Sequence, residues 1–202
     1  WCLLTFTVHT EGSRLETECT QRTFAFHGLG SREVIARFDG GHVTSDAGGL
    51  LLREVEQKFG FLERFARCFT DHRAPDLVEH SVLDLVKQRV FALCLGYEDL
   101  NDHDRLRLDP LLAVLVGKHD PTGQDRLRER DKGKALAGKS TLNRLELTPP
   151  GADEDSRYKK IVARVAKIQE FFVDAFLVQH STPPERIVID VDKAGVGFRV
   201  AL

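Results

Sequence analysis

Ile187-Val188-Ile189-Asp190-Val191-Asp192 is the strongest strand signal in the chain, a run of β-branched residues broken only by two aspartates. Alternation along an extended strand puts Asp190 and Asp192 on one face. Carboxylates at the end of a buried strand are costly unless they meet cations or hydrogen-bond donors. Two-metal phosphoryl chemistry uses such carboxylates to hold two Mg²⁺ ions. Strand-end aspartates also act as caps, and the pattern alone leaves both readings open.

Upstream of that strand, Thr182-Pro183-Pro184-Glu185 ends a long helix expected from about Asp155 to His180. Its apolar face would be Ile161, Val165, Ile168, Phe172, Phe176 and Leu177. Shorter helices are expected before it. Ser45 or Asp46 can cap one whose apolar face is Leu50, Leu51, Leu52 and Val55, and Gly60 breaks it. Phe61, Leu62, Phe65 and Phe69 continue at helical spacing. Ser81 and Asp84 form a capping-box-like start for a helix with Leu83, Val86, Val90, Leu93 and Cys94 on one face, stopped by Gly96. Asp109-Pro110 restarts the chain into Leu111, Leu112, Leu115 and Val116. Gly117 to Gly138 is charged and reads as a solvated loop. Ser140 can cap a helix through Leu147, which Pro149-Pro150-Gly151 ends. Near the beginning, Glu33 to Phe38 reads as a strand before the turn Asp39-Gly40-Gly41.

With 42% hydrophobic residues among 202, a core can form and wholesale disorder is excluded. The net charge of -2 neither supports nor excludes a nucleic-acid partner, which would need a clustered basic face. The basic residues are densest from Lys87 to Arg144. Lys87, Arg89, Arg105, Arg107, Lys139 and Arg144 are the candidate phosphate contacts, with Arg126, Arg128, Arg130, Lys132 and Lys134 in the same collection. Solvated surface is the competing reading for most of them. Cys2, Cys19, Cys68 and Cys94 lack metal-ligand spacing and read as buried free thiols. No apolar run is long enough to span a bilayer. Gly133 to Ser140 fits the P-loop expression, but a charged run precedes it where a buried strand is needed, so a basic loop leading into a helix is the stronger reading. Met is absent, position 1 included, and the chain is expected to be a piece of a longer protein.

Five blocks resemble the insertion-sequence transposases of the DDE group 1 type. They are FDGGHVTSDAGGLLLR at 38–53, QRV at 88–90, LGYEDLNDHD at 95–104, KSTLNRLE at 139–146 and PPERIVIDVD at 183–192. They keep the family's order and cover roughly Thr17 to Asp192. The resemblance implies a mainly α chain: a helical N-terminal region followed by the first β-strand of a truncated RNase-H-like α/β catalytic domain. The expected division is a poorly defined segment 1–32, a helical DNA-binding region 33–148, and 149–202 holding a linker, the long helix and that first strand. Asp192 is implied as the first acid of the DDE triad, with Asp190 as runner-up, both holding Mg²⁺. Lys193 and Ala194 stand where the family has Ala and Thr, and Lys193 to Leu202 reads as foreign to the pattern. The resemblance further implies transposon-end DNA as partner, self-association in a transpososome, and a cytoplasmic, nucleoid-associated location without a membrane. Lacking the second Asp and the Glu, this piece is expected to be inactive and to bind Mg²⁺ weakly. The alternative readings are a residual DNA-binding module or a non-functional pseudogene product.

Overall fold

The computed structural model describes residues 5–6, 23–37, 42–180, 182, 184–186, 188–191 and 198–201. The protein is mainly α and divides after Arg164 into two compact units. The first opens with strands β1 (Thr5–Phe6), β2 (Thr23–Leu29), β3 (Arg32–Arg37) and β4 (His42–Val43), in the sheet order β2-β3-β1-β4. β2 and β3 form an antiparallel hairpin with Thr23 opposite Arg37 and Phe26 opposite Val34. Residues 23–32, expected to be poorly defined, are therefore structured. The partner that orders them, Val34 and Ala36 on the buried side of β3, follows them in sequence. The expected turn Asp39-Gly40-Gly41 lies outside the described residues.

Helices α1 (Gly49–Phe59) and α2 (Phe61–Ala66) follow. The inward face of α1 differs from the expected leucine stripe: Gly49, Leu50, Arg53 and Glu56 are buried, while Leu51 and Val55 are exposed. Arg53 donates to the carbonyls of His27 and Gly28 at 2.5 and 2.9 Å, in the stretch of β2 where the ladder with β3 is irregular. Glu56 accepts from the amides of Leu62 and Glu63 at 2.7 and 3.2 Å, and so caps α2. Both buried side chains thus spend their polar atoms on backbone groups of neighbouring segments. Gly49 is needed for packing: a Cβ there would come within 2.5 Å of Leu115 Cδ1.

Phe69 leaves the helical pattern and enters β5 (Phe69–Asp71). The capping box expected at α3 (Val82–Cys94) is present, with Ser81 Oγ accepting from the Asp84 amide and Asp84 Oδ2 from the Ser81 amide, each at 3.0 Å. Its buried face is Leu85, Val86, Gln88, Phe91 and Ala92, so the helix is rotated from the expected stripe and Leu93 and Cys94 face solvent. Cys94 is thus an exposed free thiol and Cys68 a buried one; Cys2 and Cys19 lie outside the described residues. The one-turn helix α4 (His103–Leu106) leads to α5 (Pro110–Val116), capped by Asp109, which accepts from the Leu111 amide at 2.8 Å. Every residue of 111–116 is buried, as an all-apolar helix requires. It forms the centre of the core with Leu50, Leu85, Leu136 and Leu142.

Helix α6 (Lys139–Glu146) begins after Gly138 rather than at Ser140, which falls inside its first turn. The long helix expected from Asp155 is interrupted. Asp153 accepts from the Ser156 amide and hydroxyl, each at 3.0 Å, making a turn. Ile161–Ala163 then forms strand β6, antiparallel to β5 with Ile161 opposite Asp71. Ile161 and Val162 are fully buried there, an outcome their β-branched side chains favour. The boundary expected after residue 148 therefore falls inside the first unit.

The second unit holds α7 (Val165–Val178), β7 (Val188–Val191) and β8 (Phe198–Ala201). α7 buries Phe171 and Ala175 and leaves Phe172, Val173 and Leu177 exposed. The predicted strand is formed: β7 pairs antiparallel with β8, placing Asp190 opposite Arg199 in the ladder. Among the described residues no helix is long and apolar enough to cross a membrane.

Candidate nucleic-acid interface

The blocks quoted from 38–53, 88–90, 95–104 and 139–146 interlock through polar contacts. The Tyr97 hydroxyl donates to Asp46 Oδ2 at 2.7 Å, and that bond, followed by burial, pushes the phenol up to about 12. Arg89 pairs with Glu146 of α6 and also donates to the carbonyls of Tyr97 and Glu98 at 3.1 and 2.7 Å. Gln88 is almost wholly buried. Its Oε1 accepts from the Ala137 amide at 3.0 Å, and its Nε2 donates to the Ala137 carbonyl at 2.7 Å and to His103 Nδ1 at 3.0 Å. Asp104 accepts from the Lys139 amide at 3.3 Å, and its other oxygen lies 3.4 Å from Lys139 Nζ. The acidic run 98–104 thus serves as structural ties. Among the described residues, no three His, Cys, Asp or Glu side chains are grouped to hold a metal.

These ties sort the six candidate phosphate contacts. Lys87 lies 3.9 Å from Glu56 with its side chain largely buried, and Arg89 is consumed by Glu146 and two carbonyls. Lys139 serves Asp104 and Asn101. Arg105 is exposed on the surface. Arg107 and Arg144 instead line one cavity of about 470 Å³, in the first unit.

That cavity is bounded by the short 3-10 turn Pro75–Leu77, the loop 126–138 and the first turns of α6. Seven cationic residues line it: Arg73, Arg107, Arg126, Arg128, Arg130, Lys134 and Arg144. Four acids do so: Asp76, Glu79, Asp104 and Asp131. Four of the cations have partners: Arg126 pairs with Glu79, Arg73 with Asp71 at 2.7 Å, and Arg130 and Lys134 with Asp131 at 3.5 and 3.8 Å. Among the described residues, Arg107, Arg128 and Arg144 make no ion pair. Arg107 donates through Nε to the Asp104 carbonyl at 3.2 Å, and Arg144 lies over the Tyr158 ring at 5.7 Å. The sequence already contained most of these arginines. Their convergence was not legible, and Arg73 was missed because it lies far upstream of the basic run.

The P-loop-like segment 133–140 contributes to the wall but cannot cradle phosphates as a P-loop does. A short 3-10 turn, Glu129–Asp131, precedes it. Its amides already have acceptors: Gly133 N donates to the Gly123 carbonyl, Lys134 N to that of Asp131, Leu136 N to that of Arg107, and Ala137 N to Gln88. Gly123 permits this arrangement with φ of +68° and no room for a Cβ against the Lys134–Ala135 peptide.

The transposase DDE domain group 1 family matches residues 26–197. The chain belongs to that family. The matched span includes 193–197, which had read as foreign to the family pattern. No curated protein and no solved structure matches the chain. Of the two nominated acids, Asp192 lies outside the described residues and Asp190 is placed only as a backbone position opposite Arg199. The described residues therefore do not assemble a seat for Mg²⁺.

Proposed function

We propose that the protein acts in DNA transposition, as a transposase whose first unit grips DNA at insertion-sequence ends. The supporting observation is the cavity where three arginines without acid partners converge in a chain of this family. Converging like charges repel, and an anion removes that cost. Arginine suits phosphate oxygens because its planar fork donates in pairs. The reaction class is hydrolysis of a phosphodiester at the element's end, followed by attack of the freed 3′-hydroxyl on target DNA. Asp192, with Asp190 as runner-up, is the candidate first acid of a carboxylate triad in an RNase-H-like domain begun by β7. Mg²⁺, when bound by such a triad, supplies charge neutralisation at the attacking and leaving oxygens. Self-association on paired ends and a cytoplasmic site of action on the nucleoid accompany this reading.

Binding and cleavage are separable. In a gel-shift with element-end DNA across a salt series, the protein is expected to bind, with affinity falling steeply as salt rises. Arg107→Gln with Arg144→Gln should flatten the log–log slope by about 0.9 for each phosphate that is no longer neutralised. Absence of a shift even at low salt removes the reading. Supplied with Mg²⁺ or Mn²⁺, the 202-residue chain is expected to leave the DNA uncut, because Asp190 and Asp192 alone do not complete a two-metal site. Metal-dependent nicking abolished by Asp192→Ala would overturn that expectation. Binding without cleavage is also what a residual DNA-binding module gives.

A further inference from the structure

The cavity is lined by an excess of cations over acids and by two exposed leucines. Leu77 and Leu127 both border it, and both are unusually exposed, at 73% and 80%. Exposed leucines beside unpaired arginines are poorly explained by folding, since neither stabilises the core. Three lining residues carry buried polar atoms without partners among the described residues: Glu79 Oε1, His80 Nδ1 and Arg126 Nε. Gly138 keeps the wall open, because a Cβ there would lie 3.1 Å from both Arg107 Nη1 and Asp104 Oδ1. About 470 Å³ is the size of a small-ligand site. It can admit a nucleotide unit, whereas a base-paired duplex is too wide to enter.

We propose that this cavity receives an unpaired nucleotide of a DNA strand, its phosphate oxygens on Arg107, Arg128 and Arg144 and its base or sugar against Leu77 and Leu127. The proposal rests on the DNA-binding reading above and narrows it from duplex to frayed or single-stranded DNA. Cationic walls that track the backbone, with flat or apolar groups against the bases, are what sequence-tolerant strand binders use. Asp104 and Asp76 face the same space and disfavour a second phosphate close by, which limits the seat to a short segment.

The test compares fluorescence anisotropy of three labelled probes: a blunt duplex, the same duplex with a short unpaired DNA tail, and that duplex with an RNA tail. The DNA tail is expected to tighten binding roughly tenfold. Leu127→Ser, a change at an exposed position that folding does not need, should remove much of that gain. Arg107→Gln with Arg144→Gln should remove it all, whereas Lys58→Gln, outside the cavity, should keep it. Equal affinity for blunt and tailed duplexes overturns the proposal and leaves the DNA-binding reading standing. So does a tail preference that survives the arginine and leucine changes. A stronger gain from the RNA tail overturns the assignment to DNA. No binding to any probe at low salt sinks the DNA-binding reading and the proposal with it.

Discussion

Gln88→Leu is expected to destabilise the first unit by roughly 3–5 kcal/mol, near the upper end of single-residue effects. Leucine fills a similar space, so poorer packing is not the cause. The cause is three buried groups left without partners: the Ala137 amide, the Ala137 carbonyl and His103 Nδ1. Each such group costs about 1–3 kcal/mol when orphaned in a site that excludes water. Both partners are sealed in, with His103 fully buried and Ala137 2% exposed. Urea unfolding reads the loss directly, and a shift below about 1 kcal/mol would show that water replaces the glutamine. The double variant Gln88→Leu with His103→Leu should cost less than the sum of the two singles, because the two side chains share a bond. DNA affinity should fall as well. Ala137 anchors the segment that enters α6 and forms one cavity wall, so releasing it loosens Arg107 and Arg144 before the unit unfolds.

What the sequence made legible was local. The Ser81–Asp84 capping box, the Asp109-Pro110 start of α5 and the Gly96 stop each depend on residues within one helical turn, and each is formed. What it hid was long-range. Arg53 and Glu56 face inward on α1 because of backbone groups in β2 and at the start of α2, which no helical periodicity encodes. β6 breaks the expected long helix because β5, far upstream, offers an edge to pair with. The same holds for the candidate site. The family blocks could be read by eye, but their ties, Asp46 to Tyr97 and Arg89 to Glu146, join positions far apart in sequence. Composition alone could not sort these cations; only the fold reveals that acids of the same chain hold Arg89 and Lys139, whereas Arg107 and Arg144 make no ion pair among the described residues.

Acid should destabilise the first unit through two buried histidines. Burial, then the nearby Arg89 charge, holds the His103 imidazole down at about 4, against the opposing pull of Asp102 and Asp104. Its bond to Gln88 has the same sense, since Nδ1 must stay unprotonated to accept. Burial, with Lys118, Arg126 and Arg73, holds His80 at about 3 against Asp84. Folded, both rings stay neutral; unfolded, both take a proton below about 6.5. The unfolded state therefore binds more protons between those limits. Stability is full above about pH 6.5 and falls as pH drops, by up to about 1.4 kcal/mol per pH unit for each histidine. From pH 7 to pH 5 the loss should reach roughly 4 kcal/mol. Asp71 and Glu54 are held below their ordinary values by hydrogen bonds and charge from Arg73 and from His27, against the burial that opposes them, so their contribution is lost only in more acid solution. Asp109, pushed upward by burial, runs in the opposite sense. His80→Gln should halve the pH slope of the urea-derived stability while leaving the Gln88 ties in place. A wild-type stability that stays flat between pH 7 and pH 5 would mean that the buried rings gain protons without cost, against the burial that holds both neutral.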